Sequence, residues 1–528
     1  MFSVIASAMT FLCLVVSAEA DELVTGPLDS DQNNPDQKSD SENIIDNLVK
    51  ELAQIRDQIE TKGVKVSLNE VLVQGIANNP ELVAAFSQIQ QQEWALIGAQ
   101  REWYPKLDLS SGTTSIGYNW RTDVTDPYAA PRQTLTERGN PADPANPPPS
   151  PAKTSYKSNN FIIYPYLTVT WSFLDPSRQP TINSEAATLQ QQKYLFAQSA
   201  RGLILNLQKA YYQLQSSKQN IDSSRKILEI NLRQLKIMEA RGSIGMVTVY
   251  DIEQTKAQLF TQLSQLINYT NDYTEQTAEL ARLMALPKDS LAVPIESAAP
   301  QGNWSQPLSE TLNFAVKHRE EILSNLTAAE SEKWSAVASL RKYLPVFKLT
   351  GTGSLYKTNG YSNVPVNQDP EFNYQTNRTW NASAGINFNW SIFDGGINAA
   401  NAQSSLASSR RYLANVAKSE DQVIKEVRSS YGQMLTAKVG IDSARQALKS
   451  AQIAQTAART RFEVGVGDIT SVVQAITQLS TAAAEFSSQI LNYNNAIAEL
   501  YRYSATWPTS MKREIDTRIK SLRANPEP

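Results

Sequence analysis

The sequence predicts a mainly α-helical fold with a β-barrel part, made of one long unit written twice. Three observations predict it: residues recur at a long fixed spacing, the helical stretches keep strict seven-residue apolar periods, and the segments between them keep a period of two. Leu68, Glu70, Leu72, Glu81, Trp94, Arg101 and Pro105 return as Leu308, Glu310, Leu312, Glu321, Trp334, Arg341 and Pro345, 240 residues on, as from Trp94 to Trp334. Past the period-two segments the spacing shortens to 219 from Trp171-Ser172 to Trp390-Ser391, and to 220 from Ile221-Asp222-Ser223 to Ile441-Asp442-Ser443. Arg241 and Gly245 likewise return as Arg461 and Gly465. Solenoid units repeat every ~20–50 residues, so this is a whole structural half copied once.

The elements follow in order. Residues 2–16 are apolar or small and lead into Ala18-Glu19-Ala20, a signal peptide over residues 1–20 by its cleavage-like ending. Residues 21–66 read as an acidic linker, disordered to residue 43. Its second part is a short coiled-coil-like helix: Ile45, Leu48, Leu52, Ile55 and Ile59 step by 3 and 4. That stripe suits a coiled-coil seam or an amphipathic helix folded back on the body.

The first unit spans 67–286 and opens with one helix over 68–103, closed by Tyr104-Pro105 because proline cannot continue a helix. From Lys106 the period is two, with a break near Gly112. Residues 121–158, crowded with proline, are expected as an exposed loop, and a return strand over about 166–174 is expected to begin at Pro165. In the second unit, 308–505, Trp380, Ala382, Ala384, Ile386, Phe388, Trp390 and Ile392 alternate with Asn381, Ser383, Gly385, Asn387, Asn389 and Ser391. A soluble sandwich also buries one face. The asparagine-rich polar face, the aromatic strand ends and the signal peptide favour the wall of a membrane barrel around water.

Leu207, Leu214, Ile221, Leu228 and Leu235 fall at exact sevens, with Leu203, Ala210, Ser217, Ser224, Asn231 and Met238 as the companion set. The second unit has Val427, Met434, Ile441 and Leu448, with Val423, Ser430, Ala437, Ala444, Ala451 and Ala458. A seven-residue period means coiled-coil packing, and small companions let helices approach closely. After a break at Arg241-Gly245 the sevens resume at Ile252, Leu259, Leu266, Tyr273 and Leu280, matched by Val472, Leu479, Phe486, Tyr493 and Leu500. Residues 287–307 link the units and 506–528 form a polar tail.

Nothing in the chain points to catalysis or a cofactor. Charge is nearly balanced, 49 Lys+Arg against 52 Asp+Glu, so nucleic acid is not an expected partner. His318 is the one histidine and Cys13 the one cysteine, which excludes His triads, multi-His metal sites and disulfides. Asp394-Gly395-Gly396 lacks the spacing and Lys of a phosphate loop and reads as a tight turn. Two recurring constellations remain: the helix–strand junctions and the hairpin tips, Arg241-Gly242-Ser243-Ile244-Gly245 and Arg461-Phe462-Glu463-Val464-Gly465.

The doubled helix–hairpin–helix order, the junction prolines, the Trp390-Ser391-Ile392-Phe393-Asp394-Gly395-Gly396 strand exit and the Arg461–Gly465 tip carry a resemblance to the TolC family of outer-membrane efflux proteins. The resemblance covers roughly residues 67–505. It implies a homotrimer in which four strands per subunit build a 12-stranded outer-membrane barrel, continued by a periplasmic coiled-coil tunnel. It further implies export of small molecules, lipids or polypeptides, driven by an inner-membrane ABC or RND-type pump through a periplasmic adaptor. The adaptor would meet the tips at Arg241, Ile244, Gly245, Arg461, Phe462, Val464 and Gly465. Asp251 falls where the family has an acidic gate residue; its second-unit gate partners would be Phe462 and Gly467. Ser471 and Gln474 take the places of two aperture carboxylates, so the usual latch is missing. The rival expectation is an exported coiled-coil protein of the envelope without a pore.

Overall fold

The computed structural model describes residues 35–125, 154–365, 374–507 and Thr517. The expected signal peptide, the middle of the Pro-rich loop and nearly all of the tail lie outside these residues. The first helix, α1 (Pro35–Lys62), leads through β1 (Val64–Val66) to α2 (Leu68–Asn78), α3 (Pro80–Arg101), β2 (Lys106–Thr125) and β3 (Thr154–Leu174). Then come α4 (Arg178–Ser243), α5 (Val249–Leu283) and β4 (Ala292–Pro294). The order returns as α6 (Leu308–His318), α7 (Glu320–Arg341), β5 (Val346–Pro365), β6 (Tyr374–Asn389), α8 (Ile397–Glu463) and α9 (Ile469–Tyr503).

Residues 35–43, expected as disordered from their acidic composition, are the first turns of α1. Pro35 suits a first turn, where its missing N–H is not needed. The helix folds back on the body: Ile45 and Ile59 are buried in the main core, and Arg56 reaches Asp222 on α4 at 3.2 Å. The linker holds a further element, β4, which pairs in parallel with β1 from Val64↔Ala292 to Val66↔Pro294.

The single helix expected over 68–103 is two helices. Pro80 has no N–H for the ladder, so the chain breaks at Asn79. Asn79 closes α2 by donating its N–H to Gly75 O at 3.0 Å and opens α3 by accepting from Glu81 N on Oδ1 at 2.9 Å; its Nδ2 donates to Leu283 O, at the end of α5, at 3.0 Å. The second unit breaks at the matching place, Arg319, without a proline, and Arg319 Nη1 donates to Tyr503 O at 3.2 Å.

The larger sheet is antiparallel throughout, in the order β2-β3-β5-β6. The rows Leu109↔Leu167, Leu167↔Gly353 and Gly353↔Ala382 put apolar or small residues on one face. The neighbouring row Asp108↔Thr168, Thr168↔Thr352 and Thr352↔Ser383 faces the other way. On that polar face Thr352 and Ser383 hydroxyls meet at 2.7 Å, and Asn387 Nδ2 donates to Thr350 Oγ1 at 3.1 Å. The expected start of the return strand at Pro165 is corrected: β3 begins at Thr154 and runs through the proline. Pro165 sits opposite Ser111, beside a register shift before Ile116, where a bulge tolerates the missing donor. The loop expected over 121–158 therefore gives both of its ends to strands.

Helices α4 and α8, of 66 and 67 residues, each reach ~100 Å at about 1.5 Å per residue. Leu207, Leu214, Ile221, Leu228 and Leu235 are all buried, as are Val427, Met434 and Ile441. Of the companion sets only Ala458 is not fully buried. Within the chain α4 packs on α5, on α3 and also on α7 and α9 of the second unit, whereas α8 packs on α9, α7 and α6.

Both short hairpin helices end in a left-handed alanine, Ala285 at φ 52° and Ala505 at φ 58°. A Cβ in that region costs about 1–2 kcal/mol, which glycine avoids. Ala285→Gly and Ala505→Gly are expected to raise the thermal midpoint of the helical part, read by circular dichroism, by a few degrees each; unchanged or lower midpoints would show that the strain is not limiting.

Candidate functional site

The candidate site is the pair of helical tips. Each long helix ends in a turn closed by a left-handed glycine, Gly245 at φ 72° and Gly465 at φ 81°. Gly245 N donates to Gly242 O at 3.0 Å and Met246 N to Arg241 O at 2.9 Å; Gly465 N and Val466 N repeat this to Phe462 O and Arg461 O. Such a cap satisfies the last carbonyls of the helix and needs a residue without a Cβ. It also thrusts apolar side chains into the open. Ile244, Met246, Val249 and Tyr250 on one tip, and Val464 and Val466 on the other, are exposed, Val249 at 74%. Of these the sequence reading named Ile244 and Val464. The others could have been found as apolar side chains in a short polar turn between two helix ends.

Two of the expected docking residues are placed differently. Phe462 is only 5% exposed and packs with Ile469, Val472 and Met238, so it offers no free face to a partner. Arg241 covers its ring at 4.6 Å. The same guanidinium donates through Nη1 to Phe462 O at 3.0 Å and through Nη2 to Glu463 O at 2.6 Å. Those carbonyls belong to the partially negative end of α8, which a cation stabilises. Arg241 thus ties the first tip to the second. Arg461, Ile244, Val464, Gly245 and Gly465 are on the surface.

The aperture residues resolve into helix caps. Asp251 Oδ2 accepts from Thr248 N at 3.0 Å and Thr248 Oγ1 at 2.7 Å, while Thr248 Oγ1 accepts from Asp251 N at 3.2 Å, a capping box opening α5. At the start of α9 the roles are exchanged: Asp468 is the cap, and its Oδ1 accepts from Ser471 N at 2.9 Å. Hydrogen bonding from the Ser471 side chain and backbone lowers the Asp468 carboxyl below its ordinary range. Matching Asp251 to Ser471 by position suggests a lost charge; the geometry shows it moved one helical turn, onto Asp468. That residue was missed, although Asp-x-x-Ser before an apolar run is a recognisable helix start. Gly467 brings no side chain: its N–H donates to Arg461 O at 3.0 Å, and a Cβ there would meet Phe462 N at 3.2 Å. Gln474 is exposed one turn beyond Ser471.

The junctions at the opposite end are clamps. Trp171 Nε1 donates to Trp103 O at 2.8 Å, and Trp390 Nε1 to Tyr343 O at 2.9 Å. Both carbonyls lie just past a helix end and two residues before a proline, where no backbone donor remains for them. Asp394 accepts from Gly396 N and Asn398 N at 2.9 Å each and from Tyr343 Oη at 2.8 Å, so the Asp-Gly-Gly run is the start of α8.

Between tips and sheet lies a buried ionic cluster that sequence reading did not find. Arg319 pairs with Glu321 at 2.8 Å and Glu426 at 2.9 Å, and Arg502 pairs with Glu321 at 2.5 Å. Arg201 pairs with Glu320 at 2.6 Å and lies 3.6 Å over Trp507. Burial alone would raise the Glu321 carboxyl; hydrogen bonds from Arg319 and the charges of Arg502 and Arg319 outweigh it and hold the pKa at about 2. Among the described residues there is no group of acidic, His or Cys side chains fit to hold a metal, and no helix long and apolar enough to cross a membrane.

The outer membrane efflux protein family matches residues 71–286 and 320–506 of this chain. Outer membrane protein TolC of Escherichia coli (strain K12) is 25% identical over 336 residues, spanning 62% of this chain and 66% of that protein. TolC of Vibrio cholerae serotype O1 is 23% identical over 466 residues, 86% of this chain and 94% of that protein. In fold, the chain is similar to the Campylobacter jejuni CmeC outer membrane channel, with a TM-score of 0.64 at 17% identity over 86% of this chain and 89% of that one.

Proposed function

The chain belongs to the outer membrane efflux protein family, and from that premise we propose that three copies form the passive exit duct of a tripartite efflux or type I secretion system. As an outer membrane efflux channel with a periplasmic extension, it needs no catalytic centre. The observation that carries the duct is the four-stranded sheet. Leu109, Ile116, Trp120, Trp380, Ile386 and Phe388 stand exposed on it, Trp120 at 79%. The opposite face is lined by Thr, Ser and Asn, and among the described residues both edges, β2 and β6, are left unpaired. Open edges and a bare apolar face are unstable in water. Three such sheets joined edge to edge give a twelve-stranded barrel with lipid outside and water within. A pore-free coiled-coil protein leaves that face unexplained.

The halves support the same reading. α2 and α6, α3 and α7, and β2 and β5 have identical bounds at the 240-residue offset, as do α5 and α9 at the 220-residue one. We take them as copies of one unit. Since α4 packs on α7 and α9, the copy α8 should pack on α3 and α5, and among the described residues it packs extensively on neither. A neighbouring subunit supplies them. The apolar side chains left bare on α8, Leu435, Val439 and Ile453, then find cover. At the far end the tips meet the periplasmic adaptor through Ile244, Met246, Tyr250, Val464 and Val466, and through it an ABC or RND-type pump.

Conductance tests the duct. The purified protein should open trimer-sized channels in planar bilayers; absence of channels from folded, outer-membrane-fractionated protein would count against it. Asp251 and Asp468 place a capping carboxylate at the start of each helix that returns from a tip. Asp251→Asn should lower cation selectivity in part, and Asp251→Asn with Asp468→Asn should lower it further, most clearly at low salt because screening acts over about 10 Å at ~0.1 M.

A further inference from the structure

Lys218, Ile221, Asp222, Ser223 and Arg225 on α4 return as Lys438, Ile441, Asp442, Ser443 and Arg445 on α8, 220 residues on. On α4 this run holds a helix. Lys218 pairs with Glu60 of α1 at 3.3 Å, and Asp222 with Arg56 of α1 at 3.2 Å. Val49 and Ala53 of α1 close over Ile221, Arg225, Leu266 and Thr270. Four residues back along α1 match four forward along α4, so the two helices run antiparallel. The helix held there ends at Lys62, outside the part the family shares, which begins at residue 71.

On α8 the same run is bare among the described residues. Lys438 is exposed, and the side chains of Asp442 and Arg445, paired with each other at 3.2 Å, are 77% and 58% exposed. An apolar floor is nevertheless kept. Ile490 and Phe486, the latter with Arg445 over its ring at 6.0 Å, take the places of Thr270 and Leu266. Above the run, the linker stands in for the end of α1: Gly302 O accepts from Tyr493 Oη at 3.0 Å, and Gly302 lies 240 residues after Lys62. The linker does not follow α8 downward as α1 follows α4; it leads back to β4. Nor is α1 free to fill both places, since Ile45 and Ile59, 1% and 5% exposed, commit it to the first hairpin.

We propose that Lys438, Asp442 and Arg445 on α8 form a docking site for one helix of a partner protein, built like α1: an apolar stripe with an arginine four residues before a glutamate. Asp442 takes the arginine and Lys438 the glutamate, as Asp222 and Lys218 do on α4. The order of charges fixes the direction. Antiparallel to α8, the partner sets opposite charges face to face; parallel to it, arginine would meet Lys438 and glutamate Asp442. Both pairs are at the surface, so salt weakens the contact. The site lies ~30 Å from the end of α8 at about 1.5 Å per residue, apart from the tips, and holds whether or not the chain is trimeric.

The probe is a fluorescent peptide of residues 35–62, titrated into the purified full-length protein in detergent and followed by anisotropy. Saturable, salt-sensitive binding of one peptide per chain is expected. Lys438→Glu with Asp442→Arg should weaken it several-fold. A peptide carrying Arg56→Glu with Glu60→Lys should then prefer that variant to the wild type. A peptide with Ala53→Cys should form a disulfide with Arg445→Cys and not with Ala447→Cys, on the opposite face of α8 at 3.6 residues per turn. No binding to the full-length protein, or binding that ignores the charge swap, would overturn the proposal. A disulfide to Arg225→Cys in place of Arg445→Cys would overturn it too, because the peptide would then be exchanging with α1 on the first hairpin.

Discussion

Replacing Gly465 with isoleucine is expected to abolish export while leaving the protein trimeric in the outer membrane. Gly465 holds φ 81°, a region that a β-branched residue enters only with strain, about 1–2 kcal/mol or more. No atom lies within 4 Å of an added Cβ, so the strain is relieved by reshaping the turn rather than by pushing on the helices. Val464 and Val466 flank the glycine and are exposed, so the surface of the proposed adaptor contact changes while the helix packing does not. The measurement is growth of a deletion strain, complemented with the variant, on a compound it otherwise retains, beside a semi-native gel for trimers. Full export by a correctly assembled Gly465→Ile protein would remove the tip from the mechanism.

The second large effect belongs to the buried cluster. Arg319→Ala leaves Glu426 without its cation, Glu321 with Arg502 alone, and the Tyr503 carbonyl at the end of α9 without a donor. Breaking a buried ion pair from one side costs roughly 3–5 kcal/mol, which should lower the helical melting midpoint by roughly 5 °C for a body of this size. The wild type should also show a defined acid sensitivity. Glu321 is more acidic folded, at about 2, than in the unfolded chain, near 4.5. Its stabilisation is therefore complete above the unfolded value and is lost as pH falls from about 4.5 toward about 2. Melting followed across that window should steepen for the wild type and flatten for Arg319→Ala. Equal slopes would mean that Glu321 is not the titrating group.

The walls were the most legible part of the molecule in sequence, because each side-chain period maps onto one element. The sevens from Leu207 to Leu235 became one buried stripe of α4, and the alternation from Trp380 to Phe388 became one apolar face of β6. The breaks were less legible. Asn79-Pro80 carries a proline that a continuous apolar pattern masked, and at Arg319 the sequence has no breaker at all. What bends the chain there is an arginine reaching carbonyl and carboxylates up to 184 residues away, which no local pattern records. Pro165 misled in the opposite sense, since a bulge let the strand continue through it. At the tips the residue types pointed to the right turns, but exposure did not follow from type. Phe462 turned inward under Arg241, and Asp468 took up the cap that Asp251 serves from the other side.

The locked breaks at Asn79 and Arg319 also set the leverage of the molecule. Above them the indole clamps of Trp171 and Trp390 weld helices to sheet, so that end turns as one piece. Below them, from Arg201 to Arg241, α4 runs on for ~60 Å at about 1.5 Å per residue, tied sideways by single pairs such as Lys209 with Glu499 at 2.6 Å and Asp222 with Arg56 at 3.2 Å. That stretch is a lever arm with its fulcrum at the ionic cluster. A tilt of a few degrees at the fulcrum carries the tip through several ångströms, so a small displacement near the cluster is magnified at the tips.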